Sequence, residues 1–365
     1  MTLSWVACEA RTGRVIVDLP DLFVERVGAV LGTYQTAPAS LPVVTAPENW
    51  LRATLPGGSL LVLLDDEVPV WGAAIRRRVR TAGDEAALSL ATPEAFYLGS
   101  RYVGDVTYTA EAQGALVADL VDQFVLDGTV PMRVEIVGTD ATTRDRTYTA
   151  TQHKTVLAAL IELAGVQGGP EFTVGWERDE DAGVVRYRPV LYVGDRIGSP
   201  VPAGLGPAAT FELPGPVSSV EFVEDFGEGK GANSVTAYSS GSGEAVPAAT
   251  ATVTDADRPT IEYHWSPSTS ITETGTLASH AARAVAAMAA GARSLSLTAV
   301  QSEAPRLGTD WWIGDDVGYG VTAPAFPDGL SGVARALGWE LTFPRPGQSS
   351  PVMVTPVLAS DEWEA

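Results

Sequence analysis

The 365-residue chain carries 45 Asp and Glu against 24 Lys and Arg, a formal net charge of −21, with 45% hydrophobic and 19% charged residues. That composition excludes a disordered chain, and its acidity excludes a protein that wraps duplex DNA, because such affinity comes from Lys and Arg displacing counterions. At roughly 150 residues per domain, the length predicts two or three domains.

Cys8 is the single cysteine, so no disulfide closes within the chain and no cysteine zinc site can be built. The first residues lack the basic flank and long apolar run of a signal peptide. The most apolar stretch, Leu60 to Leu64, is cut by Asp65, Asp66 and Glu67, far short of the roughly 20 residues of a membrane-spanning helix. A soluble protein made in a reducing cytoplasm, with no integral membrane segment, is expected. Lys154 and Lys230 are the only lysines, so nearly all positive charge is arginine.

In chain order, β-rich runs at Leu3–Cys8, Arg14–Asp18, Leu60–Leu64, Val68–Val79 and Ala86–Leu90 are separated by Gly- and Pro-containing turns. They predict a small barrel or sandwich over 1–106. Thr92-Pro93-Glu94 is a helix start, opening a single turn through Phe96 and Tyr97. Helical spacing then appears between Glu111 and Leu126, on Leu116, Leu120 and Phe124 with Val117, Val121 and Val125. A second helix is expected over Lys154–Ala164, stopped by Gly165. Strands at Glu171–Trp176 and Val184–Tyr192, joined by a charged loop at 177–183, complete an α+β domain over 107–207. After a Pro/Gly-rich bridge from Gly198 to Pro207, β structure returns at Ser219–Glu224 and Ser234–Tyr238. A helix from Leu277 to Ala290, with Leu277, Ala281, Val285 and Met288 on a narrow stripe, interrupts it. Strands resume at Ser294–Val300, Asp316–Val321, Gly332–Phe343 and Val352–Leu358. Residues 359–365 read as an acidic tail.

Trp71–Arg76 through Leu90 and Gly332–Leu337 through Leu358 share one plan: a long strand, a Gly-containing turn and a second strand, each after an acidic turn. Chance similarity of two hairpins and a true internal repeat both account for this echo.

No local chemistry for catalysis stands out. His153, His264 and His280 lie far apart, with neither His-Glu-x-x-His nor Gly-x-Ser-x-Gly present. Gly227-Glu228-Gly229-Lys230-Gly231 lacks the Ser or Thr that follows the lysine of a P-loop and reads as a hairpin tip. Asp179-Glu180-Asp181 lacks the donors of an EF-hand and reads as a solvated turn. No catalytic residue, cofactor site or metal site is expected. The one distinctive charge feature is Ile75-Arg76-Arg77-Arg78-Val79-Arg80. Strand alternation puts Arg76, Arg78 and Arg80 on one face, either as a solvated strand surface or as a subunit-interface ridge for an acidic neighbour such as another copy.

Several runs together carry a resemblance: Gly13-Arg14-Val15-Ile16-Val17-Asp18-Leu19-Pro20, Trp50 with Ala53-Thr54 and Pro56-Gly57-Gly58, Val70-Trp71-Gly72, Ala91-Thr92-Pro93-Glu94-Ala95 and Arg101-Tyr102-Val103-Gly104. With Glu171-Phe172-Thr173-Val174, Val193-Gly194-Asp195-Arg196 and Trp311-Trp312-Ile313-Gly314-Asp315-Asp316-Val317, the ordered set resembles minor tail proteins of siphophages infecting actinobacteria, specifically their tail-tip (baseplate) hub component. The resemblance implies a mainly β fold of two related β-barrel hub domains with an inserted α+β domain. The barrels are expected at 1–106 and, discontinuously, at 208–257 with 293–358; a helical insert at 258–292 is expected to pack with the α+β domain. It further implies a homotrimer in the virion tail tip, a pseudo-sixfold ring joining a distal tail protein and tape-measure protein to other minor tail proteins, fibres or a spike. DNA would pass as unbound cargo. A receptor- or glycan-binding tail module and a wall-degrading enzyme are the alternatives.

Overall fold

The computed structural model describes residues 3–227, 229–239, 246–268, 271, 273–303 and 305–360. The acidic end expected from Asp361 onward lies outside them. The fold is mainly β, with 47% strand and 14% helix. It divides into two compact units, one made of residues 1–218 with 298–357, the other built on 219–297.

The first unit opens with β1 (Leu3–Glu9), β2 (Val15–Asp18), β3 (Phe23–Val24), β4 (Arg26–Val30) and β5 (Thr36–Pro42). A one-turn helix α1 (Trp50–Ala53) leads to β6 (Ser59–Asp65), β7 (Val68–Arg80), β8 (Glu85–Ala91) and the short α2 (Pro93–Phe96). Seven of these strands pair in the order β2-β1-β6-β7-β8-β5-β3. The end strands β2 and β3 do not pair with each other, so the sheet is open where a closed barrel was expected. β3 stops after two residues because the chain turns at Glu25 and continues as β4 on a different sheet. All seven residues of β6 are buried, as befits a strand covered on both faces. Leu60, Val62 and Leu64 enter one core with Val6 and Cys8. On β1, Trp5 meets Trp71 edge-on at 6.0 Å and Phe343 at 6.3 Å.

The middle segment comprises β9 (Val106–Ala112), α3 (Gln113–Phe124), β10 (Arg133–Ile136), β11 (Thr143–Tyr148), α4 (Val156–Ala164), β12 (Glu171–Asp181) and β13 (Val184–Gly194). Both expected helices form. Leu116, Val117, Leu120 and Val121 of α3 and Val156, Leu157, Ala159, Leu160 and Leu163 of α4 join the same core as the first sheet. Asp140 accepts the free N–H groups of Gly114 and Ala115 at the start of α3 (2.6 and 3.0 Å), and Thr155 caps α4. The loop expected at 177–183 is instead mostly strand. β12 and β13 pair throughout, and only Ala182 and Gly183, both at positive φ, form the turn. Ion pairs Arg188–Asp179 and Arg178–Glu180 place the charges on the ladder itself.

After the bridge come β14 (Thr210–Leu213) and β15 (Val217–Asp225), within which the chain leaves the first unit. The second unit holds β16 (Ser234–Tyr238), β17 (Ala248–Thr252), β18 (Glu262–Trp265) and α5 (Thr274–Met288), with sheet order β17-β16-β18. Helix α5 was expected to pack with the α+β domain. It packs instead on the sheet of its own unit, where Ala284, Val285 and Met288 meet Val235, and Leu277 and Ala281 meet Ala237. The physical reason is that this three-stranded sheet has an apolar face which the stripe of α5 covers. The Gly227–Gly231 loop is not a hairpin tip, since the strands on either side belong to different sheets; Lys230 pairs with Asp225 at 3.0 Å.

The chain returns to the first unit within β19 (Ala292–Val300), followed by β20 (Asp316–Ala323), β21 (Phe326–Thr342) and β22 (Met353–Leu358). These pair in the order β14-β20-β21-β22-β19, and β4 adds to β21. β20-β21-β22-β19 repeats β6-β7-β8-β5 strand for strand, with the earliest strand of each quartet antiparallel to the latest. The hairpin echo is therefore part of a repeated four-strand arrangement with Greek-key order. The two sheets are also joined: β4 pairs with β21 from Arg26–Thr342 to Val30–Gly338, and Trp71 Nε1 donates to the Gly28 carbonyl at 2.8 Å.

Candidate functional site

The arginines of β7 do not form one ridge. A bulge between Ile75 and Arg77 leaves Arg76 outside the regular register, which re-aims its side chain. Arg76 lies over the Phe96 ring at 5.9 Å and donates to the Ala95 carbonyl at 3.3 Å. Arg78 pairs opposite buried Leu88 and turns to α1. It donates to the carbonyls of Leu51 and Thr54 and to Thr54 Oγ1 (2.6, 3.0 and 2.9 Å), and lies over Trp50 at 5.8 Å. It is thus the C-terminal cap of that short helix. Arg80 is exposed at the strand end. Alternation alone could not show this, because one inserted residue changes the phase.

A cluster of polar contacts in the first unit ties β12 to the second sheet. Arg335 on β21 forms a bidentate pair with Glu171 on β12, one contact being 2.5 Å, and donates to the carbonyls of Gly314 (3.1 Å) and Ile197 (2.8 Å). Glu171 also accepts from the Ile197 N–H at 2.7 Å. Beside it, Arg196 pairs with Asp316 at 2.6 Å, and Asp316 and Asp315 accept the N–H groups of Val201 and Ser199 (3.0 and 2.7 Å). Gly198 and Gly314, at φ +81° and +89°, let the two backbones meet. A Cβ on Gly198 would stand 2.1 Å from the Gly314 carbonyl carbon, a contact only glycine avoids. This clasp secures the start of the Pro/Gly-rich bridge.

Other groups are inert or isolated. Burial drives the Cys8 thiol far above its ordinary range, so it stays protonated. Glu94 is fully enclosed; burial raises its pKa to about 7, opposed by hydrogen bonds from the Thr92 side chain and the backbone N–H groups of Glu94 and Val174. Its Oε2 has no partner. His153 and His264 are exposed, and His280 meets the Trp265 ring at 5.9 Å. Among the described residues no three His, Cys, Asp or Glu side chains gather in a metal-binding group, and no helix is long and apolar enough to cross a membrane.

No protein-family model matches the chain, and no curated protein matches it in sequence. Solved structures do. The 43 kDa tail protein of prophage MuSo2 from Shewanella oneidensis is similar with a TM-score of 0.58 and 12% identity, covering 98% of both chains. The tail protein from Neisseria meningitidis MC58 is similar with a TM-score of 0.53 and 13% identity, covering 97% of this chain and 96% of that one. Over essentially its whole length, the chain has the fold of these tail proteins.

Proposed function

We propose that this chain is a structural, non-enzymatic component of a bacteriophage tail tip, three copies of which form a hub ring. The observation that carries the reading is the repeated quartet, β6-β7-β8-β5 and β20-β21-β22-β19. Three chains supply six similar quartets, which suits a sixfold neighbour such as a distal tail ring. Above it the hub would meet that ring and the tape-measure protein; below it, fibres or a spike. A trimer would carry 3 × −21 formal charges. An acidic channel wall would let DNA slide past without holding it. The resemblance in sequence supports reading the virus as a siphophage of actinobacteria, with the chain made in the host cytoplasm.

Density in electron cryomicroscopy of intact virions tests this. Threefold density directly below a sixfold ring is expected, as is a purified species of three times 38.2 kDa. A strictly sixfold ring of this chain would overturn it. One observation favours a glycan-binding tail module as a second reading: Trp176, Tyr192 and Trp312 line a cavity of ≈ 360 Å³, a surface on which sugar rings stack. Saturable binding on a glycan array, lost in Trp312→Ala, would support that reading.

A further inference from the structure

The bulge that separates Arg76 from the rest of β7 delivers it into a cavity of ≈ 430 Å³ with two arginines from elsewhere in the first unit. Arg11 comes from the β1–β2 turn and Arg101 from the segment after α2. Phe96 and Val130 supply apolar wall, and Gly57, at φ +71°, borders open space. The base is rigid, since Tyr97 Oη donates to the buried Ala10 carbonyl at 2.5 Å.

The three guanidiniums are unequally engaged. Arg101 pairs with Asp127 at 2.6 Å. Asp127 stays ionised, its pKa lowered to about 2 first by the Thr129 hydroxyl, then by the Thr129 N–H and Arg101. Arg76 has one long bond to a carbonyl, and Arg11 has no partner among the described residues. Two positive charges are thus left over in one concavity of a chain whose net charge is −21.

We propose that this cavity binds the carboxylates of an acidic protein segment. Guanidinium forks match carboxylates in bidentate geometry, as Arg335 with Glu171 illustrates elsewhere in this unit. Phe96 and Val130 suit the methylenes of Glu side chains. The ligand is a short acidic peptide and not duplex DNA. A duplex brings one charge per roughly 1.7 Å of axis into the field of an acidic chain, whereas a peptide brings only two or three. The site stands independently of the tail-tip reading, because any acidic partner satisfies it.

The test is fluorescence anisotropy of labelled hexaglutamate titrated with the full chain at low ionic strength. Saturable binding is expected, weakened about tenfold by Arg11→Gln and by Arg76→Gln. Arg80→Gln, which removes the same charge from the same strand outside the cavity, leaves it unchanged. Arg11 is exposed and makes no side-chain hydrogen bond or ion pair among the described residues, so its variant melts like the parent. The proposal is overturned by the absence of saturable binding, or by an Arg80→Gln effect as large as that of Arg76→Gln. It is also overturned if an oligonucleotide of equal formal charge binds as tightly through Arg11 and Arg76, which would make phosphate the ligand.

Discussion

Replacing Arg335 with Met tests the clasp between β12 and β21. The substitution removes both contacts to Glu171 and the bonds to the Gly314 and Ile197 carbonyls. Glu171 is left with the Ile197 N–H as its remaining hydrogen-bond donor. The Arg335 and Glu171 side chains are 19% and 24% exposed, so the orphaned carboxylate stays largely desolvated. Breaking a buried pair from one side costs about 3–5 kcal/mol; partial exposure puts this case at the lower end, about 3 kcal/mol. At about 2 °C per kcal/mol for a unit of this size, the melting midpoint should fall by about 6 °C. Hydrogen exchange should quicken at the Ile197 and Ser199 amides, whose acceptors are Glu171 and Asp315. Thermal melts of Arg335→Met, Glu171→Gln and the double variant form a cycle. The double variant should be more stable than Arg335→Met alone, because it no longer buries an unpaired charge. A loss under about 0.5 kcal/mol for Arg335→Met, or two single losses that simply add, would refute the reasoning.

Glu94 makes stability depend on pH. Its folded pKa, raised by burial to about 7 from the ordinary 4.5, means the folded chain binds the extra proton. Its contribution is present below about pH 4.5 and is lost as pH rises through 7. Glu94→Gln should flatten this slope and raise stability at pH 8 by about 1–3 kcal/mol, measured by denaturant titration at several pH values. Gly314→Ala, whose Cβ would lie 2.3 Å from the Ile197 oxygen at φ +89°, should cost about 3 kcal/mol or more in the same assay. Leu277→Ala, at a fully buried position on α5, should cost about 2–5 kcal/mol. Hydrogen exchange should confine that loss to β16–β18 and α5.

Local pattern made much of the chain legible. The α3 and α4 stripes, the β6–β7–β8 meander and the late strands follow from periodicity and Gly/Pro punctuation, both properties of neighbouring residues. β5 escaped because Pro38 and Pro42 read as breakers; Pro38 sits in the ladder opposite Ser89. β4 escaped because a five-residue strand whose partner lies some 310 residues away carries no local mark of it. At the site, the arginine run was visible but its geometry was not. One bulge residue sent Arg76 and Arg78 to different neighbours; Arg11 drew no notice, and Arg101 stood only as one residue of a run carrying the resemblance.

By itself the sequence determined a mainly β, acidic, single-cysteine chain with helical stripes between Glu111 and Leu126 and over Lys154–Ala164 and a hairpin echo, since these rest on side-chain type and short-range spacing. Only the tertiary structure decided that the echo belongs to two quartets of the same strand order, and that β4 crosses to join their sheets. It also decided that α5 serves its own small sheet, and that three arginines from separate parts of the chain face one cavity. Each depends on pairing between residues far apart in the chain, and such pairing is selected by the burial of whole faces, which no local window contains.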